Sequence, residues 1–209
     1  MAEKMNVLLI GSKFMGRTHS NAYLKVGKYF HDIPVQPVMH TLAARNPEET
    51  REFAEQWGWQ NSTTDWQSAA KADDIQLVDV GTPNDLHRDQ AIAALEAGKH
   101  VACEKPLAGT LDDARQMNEA AKKAKGQQTF VWYNYRRCPA VAFAHRLAQQ
   151  GRLGRIYHVR AAYLQDWGGP DTPLIWRFQG QTAGSGAHGD LNAHVIDMEI
   201  GRASCRERV

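Results

Sequence analysis

A histidine flanked by carboxylates stands near the end of the chain, in Asp190-Leu191-Asn192-Ala193-His194-Val195-Ile196-Asp197. On a helix, Asp190 and His194 are four residues apart and His194 and Asp197 three apart, so all three share one face. Histidine titrates near neutrality, and beside carboxylates it can take a proton from a reacting hydroxyl. A capping aspartate and a satisfied core histidine would leave the same letters. A metal reading would need His188 as well, but positions 188 and 194 lie nearly opposite each other on a helix, which argues against a metal site. A second candidate is Lys105 in Glu104-Lys105-Pro106. Placed just past a strand end, its ammonium can hydrogen-bond a substrate hydroxyl.

Chemistry of this kind needs a partner group, and the N-terminal string suggests one. Gly11-Ser12-Lys13-Phe14-Met15-Gly16 follows the apolar run 7–10 directly and opens a helical stretch. Glycine at 11 permits a tight turn, and glycine at 16 permits a helix to approach a strand closely. The helix N-terminus then offers backbone N–H groups and a positive dipole end to a pyrophosphate. Lys13 stands where the usual fingerprint has its central glycine, so an ordinary strand-to-helix turn remains open. The second strand ends Leu42-Ala43-Ala44-Arg45-Asn46, without the acid that binds an adenosine ribose. Arg45 suits a 2′-phosphate or stacking on adenine, which makes NADP as good a fit as NAD. It would look the same as a solvated loop charge. Gly81-Thr82-Pro83-Asn84-Asp85-Leu86-His87 is turn chemistry at another strand end, where ligands sit in open α/β sheets.

The elements that must position these groups alternate. Strands are expected at 7–10, 38–44, 75–80, 100–103 and 129–133. Helices are expected at 15–30, 47–57, a short stretch after Asp65, 85–97 and 111–125. Asp65 and Thr110 are N-cap residues, Pro47 suits a first turn, and Gly98 and Gly126 suit helix ends. The pattern is α/β: a doubly wound parallel sheet with right-handed crossovers over residues 1–129. Beyond Tyr133 the character changes. A helix is expected at 139–150, a longer alternating strand at 155–164, and a helix at 189–199. Residues 130–199 read as the incomplete start of an α+β open-sheet domain, since one strand and two helices cannot bury a core unaided.

Composition narrows the function classes. Of 209 residues, 43% are hydrophobic and 23% charged, with a net charge of +2. That is ordinary for a globular chain and gives no sign of nucleic-acid or polybasic membrane binding. No apolar run is long enough for a transmembrane helix, and the apolar stretch before Gly11 is too short for a signal peptide. Cys103, Cys138 and Cys205 are odd in number and widely spaced, which fits a reducing cytoplasm.

Taken together, these strings resemble the Gfo/Idh/MocA oxidoreductase family. The motifs that carry the resemblance are the Gly11/Gly16 loop with Met15 and His19, Thr82-Pro83-Asn84 with His87, and Glu104-Lys105-Pro106. Asn134-Tyr135-Arg136 with Pro139, and Asp190 with His194 and Asp197, complete them. The segment 132–167 looks most like members acting on sugars, glycosides or inositols. The resemblance implies NAD or NADP held by Gly11, Phe14, Met15, Gly16, Arg45, Thr82, Pro83, Asn84, His87, Glu104, Lys105 and Asn134. It implies Lys105, Asp190 and His194 as catalytic residues, with Arg136, Trp167 and Asp197 toward the substrate. It further implies a homo-oligomer acting on a small sugar or polyol, with no nucleic acid and no membrane. A same-scaffold enzyme with a recycled cofactor and a non-catalytic dinucleotide-binding paralogue are the alternative readings.

The last residues, 200–209, break the helical pattern and resemble, residue for residue, one frame of a translated sequencing adapter. The expectation is a chain truncated at the C-terminus, poorly soluble and inactive as a 209-residue product, with a non-native tail. Arg202, Arg206 and Arg208 against Glu207 account for all of the net +2.

Overall fold

The computed structural model describes residues 2–199, and the tail expected at 200–209 lies outside them. The chain divides into two units after Val131.

In the first unit, six strands form one parallel sheet: β1 Glu3–Ile10, β2 Val35–Ala43, β3 Asn61–Thr63, β4 Leu77–Val80, β5 His100–Cys103 and β6 Thr129–Val131. Their order is β3-β2-β1-β4-β5-β6, which reverses at β1 and β4 and so creates a switch point there. The helices between them are α1 Phe14–Tyr29, α2 Pro47–Trp57, α3 Trp66–Lys71, α4 His87–Glu96 and α5 Leu111–Lys123. Alternate residues of β1 serve opposite faces. Val7 and Leu9 pack with Met39, Leu42, Phe53, Ala54 and Trp59. Leu8 and Ile10 pack with Val78, Val80, Val101 and the small residues of α4. Both faces are covered, which is why these strands read as continuous apolar runs.

The helix ends follow their sequences. Asn46 accepts from the N–H groups of Glu48 and Glu49 at 3.0 and 3.2 Å, Asp65 from Ser68 and Thr110 from Asp113. β3 is an addition to the expected strands; at three residues it is too short to show a period. β2 begins at Val35, earlier than expected, and runs through Pro37. β3 pairs only with Thr41–Ala43, so one side of β2 carries no ladder at Pro37, where a residue without an N–H is tolerated.

The second unit is different. α6 Pro139–Gln149 forms as its sequence suggests, with Pro139 in the first turn. The expected strand 155–164 does not form. The segment has no regular secondary structure and pairs with no strand among the described residues, and Tyr157 and Leu164 are 82% and 88% exposed. Alternation supplies a face, but a strand needs a neighbouring backbone to hydrogen-bond, and the described residues of this unit offer none. The expected helix 189–199 is a wide π-type turn over His188–Asn192 that runs into α8 Ala193–Met198, after the short α7 Gly180–Ala183. No helix among the described residues is long and apolar enough to cross a membrane.

Candidate functional site

The glycine loop leaves the end of β1 at the switch point. Gly11 has φ +117°, and a Cβ there would stand 2.7 Å from the Gly81 carbonyl oxygen. A Cβ on Gly16 would collide with the Gly11 carbonyl oxygen. Both glycines are therefore required, one by conformation and both by space, and the result is a bare backbone cradle at the N-terminus of α1. Lys13 keeps ordinary negative φ, and its exposed side chain turns to Glu49 of α2 at 2.5 Å. The departure at position 13 thus leaves the cradle unfilled by a side chain. Phe14 is exposed, Met15 half-buried, and Arg45 exposed beyond the end of β2. These residues fit a dinucleotide.

Two further turns lie at the neighbouring strand ends. Thr82-Pro83-Asn84 follows β4, with Thr82 Oγ1 donating to Gln90 Oε1 at 2.7 Å. Glu104-Lys105-Pro106 follows β5, with Lys105 half-buried. His87 ties these turns together: Nδ1 lies 3.0 Å from the Pro106 carbonyl and Nε2 2.9 Å from that of Thr82. Burial pushes its pKa down, and the two carbonyls and Glu104 do not reverse that. His87 was expected to touch the cofactor. It is wholly buried, with both ring nitrogens engaged by the two turns. Glu104, likewise expected there, is also buried. It is 5% exposed; Oε1 faces His19 Nε2 at 3.0 Å, and Oε2 accepts the Lys105 N–H at 3.0 Å.

His19 was left out of the expected site. It lies on the buried face of α1, and its Nδ1 meets Asp79 Oδ2 of β4 at 2.9 Å. Tyr23 donates to the same oxygen at 2.8 Å. Burial opposes charge on the ring, but the two carboxylates outweigh it and raise its pKa to about 10. The sequence signal was Asp79 itself, a carboxylate inside the apolar run Leu77-Val78-Asp79-Val80.

In the second unit, His194 is buried and ringed by tyrosines. The centroids of Tyr135, Tyr163 and Tyr133 lie 4.9, 6.0 and 6.1 Å from its own. The Tyr135 and Tyr163 hydroxyls share a 2.6 Å hydrogen bond, which with burial raises the Tyr135 pKa to about 12. Gln165 donates to Tyr163 at 3.0 Å and accepts from Trp167 Nε1 at 2.6 Å. Trp167 is thereby joined to the tyrosines around His194. Asp190 pairs with Arg177 at 3.5 Å. Asp197 is bound in bidentate fashion by Arg136, which ties the turn Asn134–Arg137 to α8. The carboxylates expected to flank His194 on one regular α-helix are thus each held by an arginine. Arg136 and Asp197, expected toward the substrate, are committed to each other. Asn134 is exposed at the start of its turn. Tyr135 stood inside the Asn134-Tyr135-Arg136 motif without being given a role, and Arg177, Tyr133, Tyr163 and Gln165 carried no motif of their own.

A family model for the oxidoreductase family with an NAD-binding Rossmann fold matches residues 5–133, and one for the GFO/IDH/MocA C-terminal domain matches residues 141–199. The chain belongs to the Gfo/Idh/MocA oxidoreductase family. Among curated members of this family, it is 49% identical to levoglucosan dehydrogenase of Pseudarthrobacter phenanthrenivorans, over 94% of this chain and 50% of the relative. It is 35% identical to 1,5-anhydro-D-fructose reductase of Ensifer adhaerens, over 75% of this chain and 46% of that one. A solved structure of levoglucosan dehydrogenase in complex with NADH and levoglucosan superposes with a TM-score of 0.91 at 49% identity, covering 94% of this chain and 53% of that one. The chain spans about half the length of the relatives it matches. Its first unit is the family's NAD-binding Rossmann domain.

Proposed function

We propose that this chain belongs to an NAD(P)-dependent dehydrogenase that oxidises a ring hydroxyl of a cyclic sugar, with anhydrosugars of the levoglucosan type as the substrate class. The observation that carries the reading is a glycine cradle open for a dinucleotide, in a chain 49% identical to levoglucosan dehydrogenase over 94% of its length. Complexes of that relative contain NADH, which favours NAD over NADP.

The loop Gly11–Gly16 and the N-terminus of α1 hold the pyrophosphate by backbone N–H groups. Phe14 and Met15 line the loop, Arg45 would receive the adenosine end, and Thr82-Pro83-Asn84 would contact the rest. A bound nicotinamide cofactor would supply the hydride acceptor for the sugar carbon. Lys105 donates a hydrogen bond to the reacting hydroxyl and stabilises the negative charge that grows on its oxygen. His194 takes the hydroxyl proton during oxidation and returns it in the reverse direction. Asp190, paired with Arg177, orients the sugar. Trp167 offers an apolar face to the ring, while Arg136 and Asp197 fix α8 and with it His194.

The test is cofactor reduction by the enzyme that carries this chain, over a panel of levoglucosan, free hexoses and inositols with NAD⁺ and NADP⁺. The expected result is NADH formation with an anhydrosugar and its loss in His194→Ala. Near-normal turnover in that variant would remove the acid/base assignment.

A further inference from the structure

The buried cluster around His19 joins elements far apart in sequence. Nδ1 faces Asp79 at 2.9 Å and Nε2 faces Glu104 at 3.0 Å. Ionised carboxylates only accept hydrogen bonds, so a ring placed between two of them must carry a hydrogen on both nitrogens. His19 is 8%, Asp79 0% and Glu104 5% exposed. Two buried carboxylates this close to one ring would repel each other without a cation between them.

The contacts continue in both directions. On one side Tyr23 donates to Asp79 and meets the edge of Trp59. Trp59 donates to Ser20 Oγ at 3.0 Å, and Ser20 donates to the carbonyl of Gly16 at 2.7 Å. On the other side Glu104 accepts the N–H of Lys105. A single chain of contacts therefore runs from the second glycine of the cofactor loop to the backbone of the proposed catalytic lysine.

We propose that His19 is a positioning residue for the dehydrogenase reaction: a buried imidazolium that ties Asp79 at the end of β4 to Glu104 at the end of β5 and so holds the Lys105 turn in register with the cofactor-loop helix. It touches neither sugar nor cofactor. The inference rests on the reading of Lys105 as the group that meets the substrate hydroxyl. Glutamine at position 19 can donate to one carboxylate but not to both, so the Lys105 turn loses its tie while the volume stays nearly filled.

The test compares His19→Gln with Lys105→Met in the enzyme that carries this chain, using a sugar deuterated at the oxidised carbon. For His19→Gln, kcat/KM falls on the order of tenfold and its deuterium isotope effect rises, because a misplaced lysine slows the hydride step itself. A purely structural role would lower the fraction of active enzyme and leave the isotope effect unchanged. That result, or an unchanged rate, overturns the proposal. Full turnover in Lys105→Met would instead overturn the role of Lys105. A second measurement does not depend on turnover or on the variant folding. Ring ¹⁵N spectra of the enzyme that carries this chain are expected to show His19 protonated on both nitrogens up to about pH 9, well above the ordinary histidine range. A neutral His19 ring at about pH 8 would overturn the proposal equally.

Discussion

The two units of this chain treat their polar groups and their strands in opposite ways. In the first unit every strand has a paired neighbour, and both faces of the sheet are covered. Its charged residues of interest are sunk into that frame: His19, Asp79 and Glu104 share one hydrogen-bonded cluster. In the second unit the segment 155–164 has strand-like alternation but no ladder. Asp197 and Asp190, with side chains 8% and 22% exposed, are each paired with one arginine, Arg136 and Arg177. The difference teaches that a side-chain pattern and a finished element are separate things. Continuous ladders let the first unit bury charges at fixed distances. The second unit relies on individual ion pairs and aromatic contacts around His194.

Four changes break or sharpen this contrast. The largest effect is expected in the second unit. His194→Ala should lower sugar oxidation by about 10³-fold, as for the loss of a general base, while the affinity for NADH, a property of the first unit, stays within the error of a fluorescence titration. The next effect belongs to the glycines. Gly16→Ala drives a methyl group onto the Gly11 carbonyl and should cost about 2–3 kcal/mol in denaturant unfolding, with NADH binding lost. Gly169→Ala, where a Cβ meets nothing within 4 Å, should stay within about 0.5 kcal/mol.

The third change concerns pH. The His19 pKa is raised from 6.5 to about 10. Its contribution to stability is therefore fully present below 6.5 and is lost as pH rises toward 10. Across that window the stability gap between wild type and His19→Gln should shrink by about 1 kcal/mol per pH unit. A gap independent of pH would mean that the ring is not charged in the folded chain. Apart from the Gly169→Ala control, the smallest effect is Tyr135→Phe. It removes the hydrogen bond to Tyr163 and should cost about 1 kcal/mol by thermal unfolding.

How much of this was legible in the sequence follows from the same contrast. The glycine loop, the Thr82-Pro83-Asn84 turn and Glu104-Lys105-Pro106 are contiguous strings at strand ends, so their positions could be read directly. The His19 cluster was not legible, because its members come from α1, β4 and the end of β5. His19 and Glu104 stood in separate motifs, and Asp79 showed only as a charge in an apolar strand, so nothing in the sequence joined the three. The buried partners of His87 and Glu104 could not be read from their strings, since burial depends on tertiary packing. The strand at 155–164 was read from alternation alone, which says nothing about whether a partner strand is present. The pairing of Asp190 with Arg177 crosses a loop and a π-type turn, where helical spacing no longer predicts which side chains meet.

The central claim is that this Rossmann-type unit serves sugar oxidation. The most direct measurement is NADH formation when NAD⁺ and levoglucosan are added to the enzyme that carries this chain, with the sugar product counted alongside. The account predicts one NADH for each sugar oxidised, and none from His194→Ala. An enzyme that binds NADH yet forms none with any anhydrosugar, hexose or inositol would contradict it.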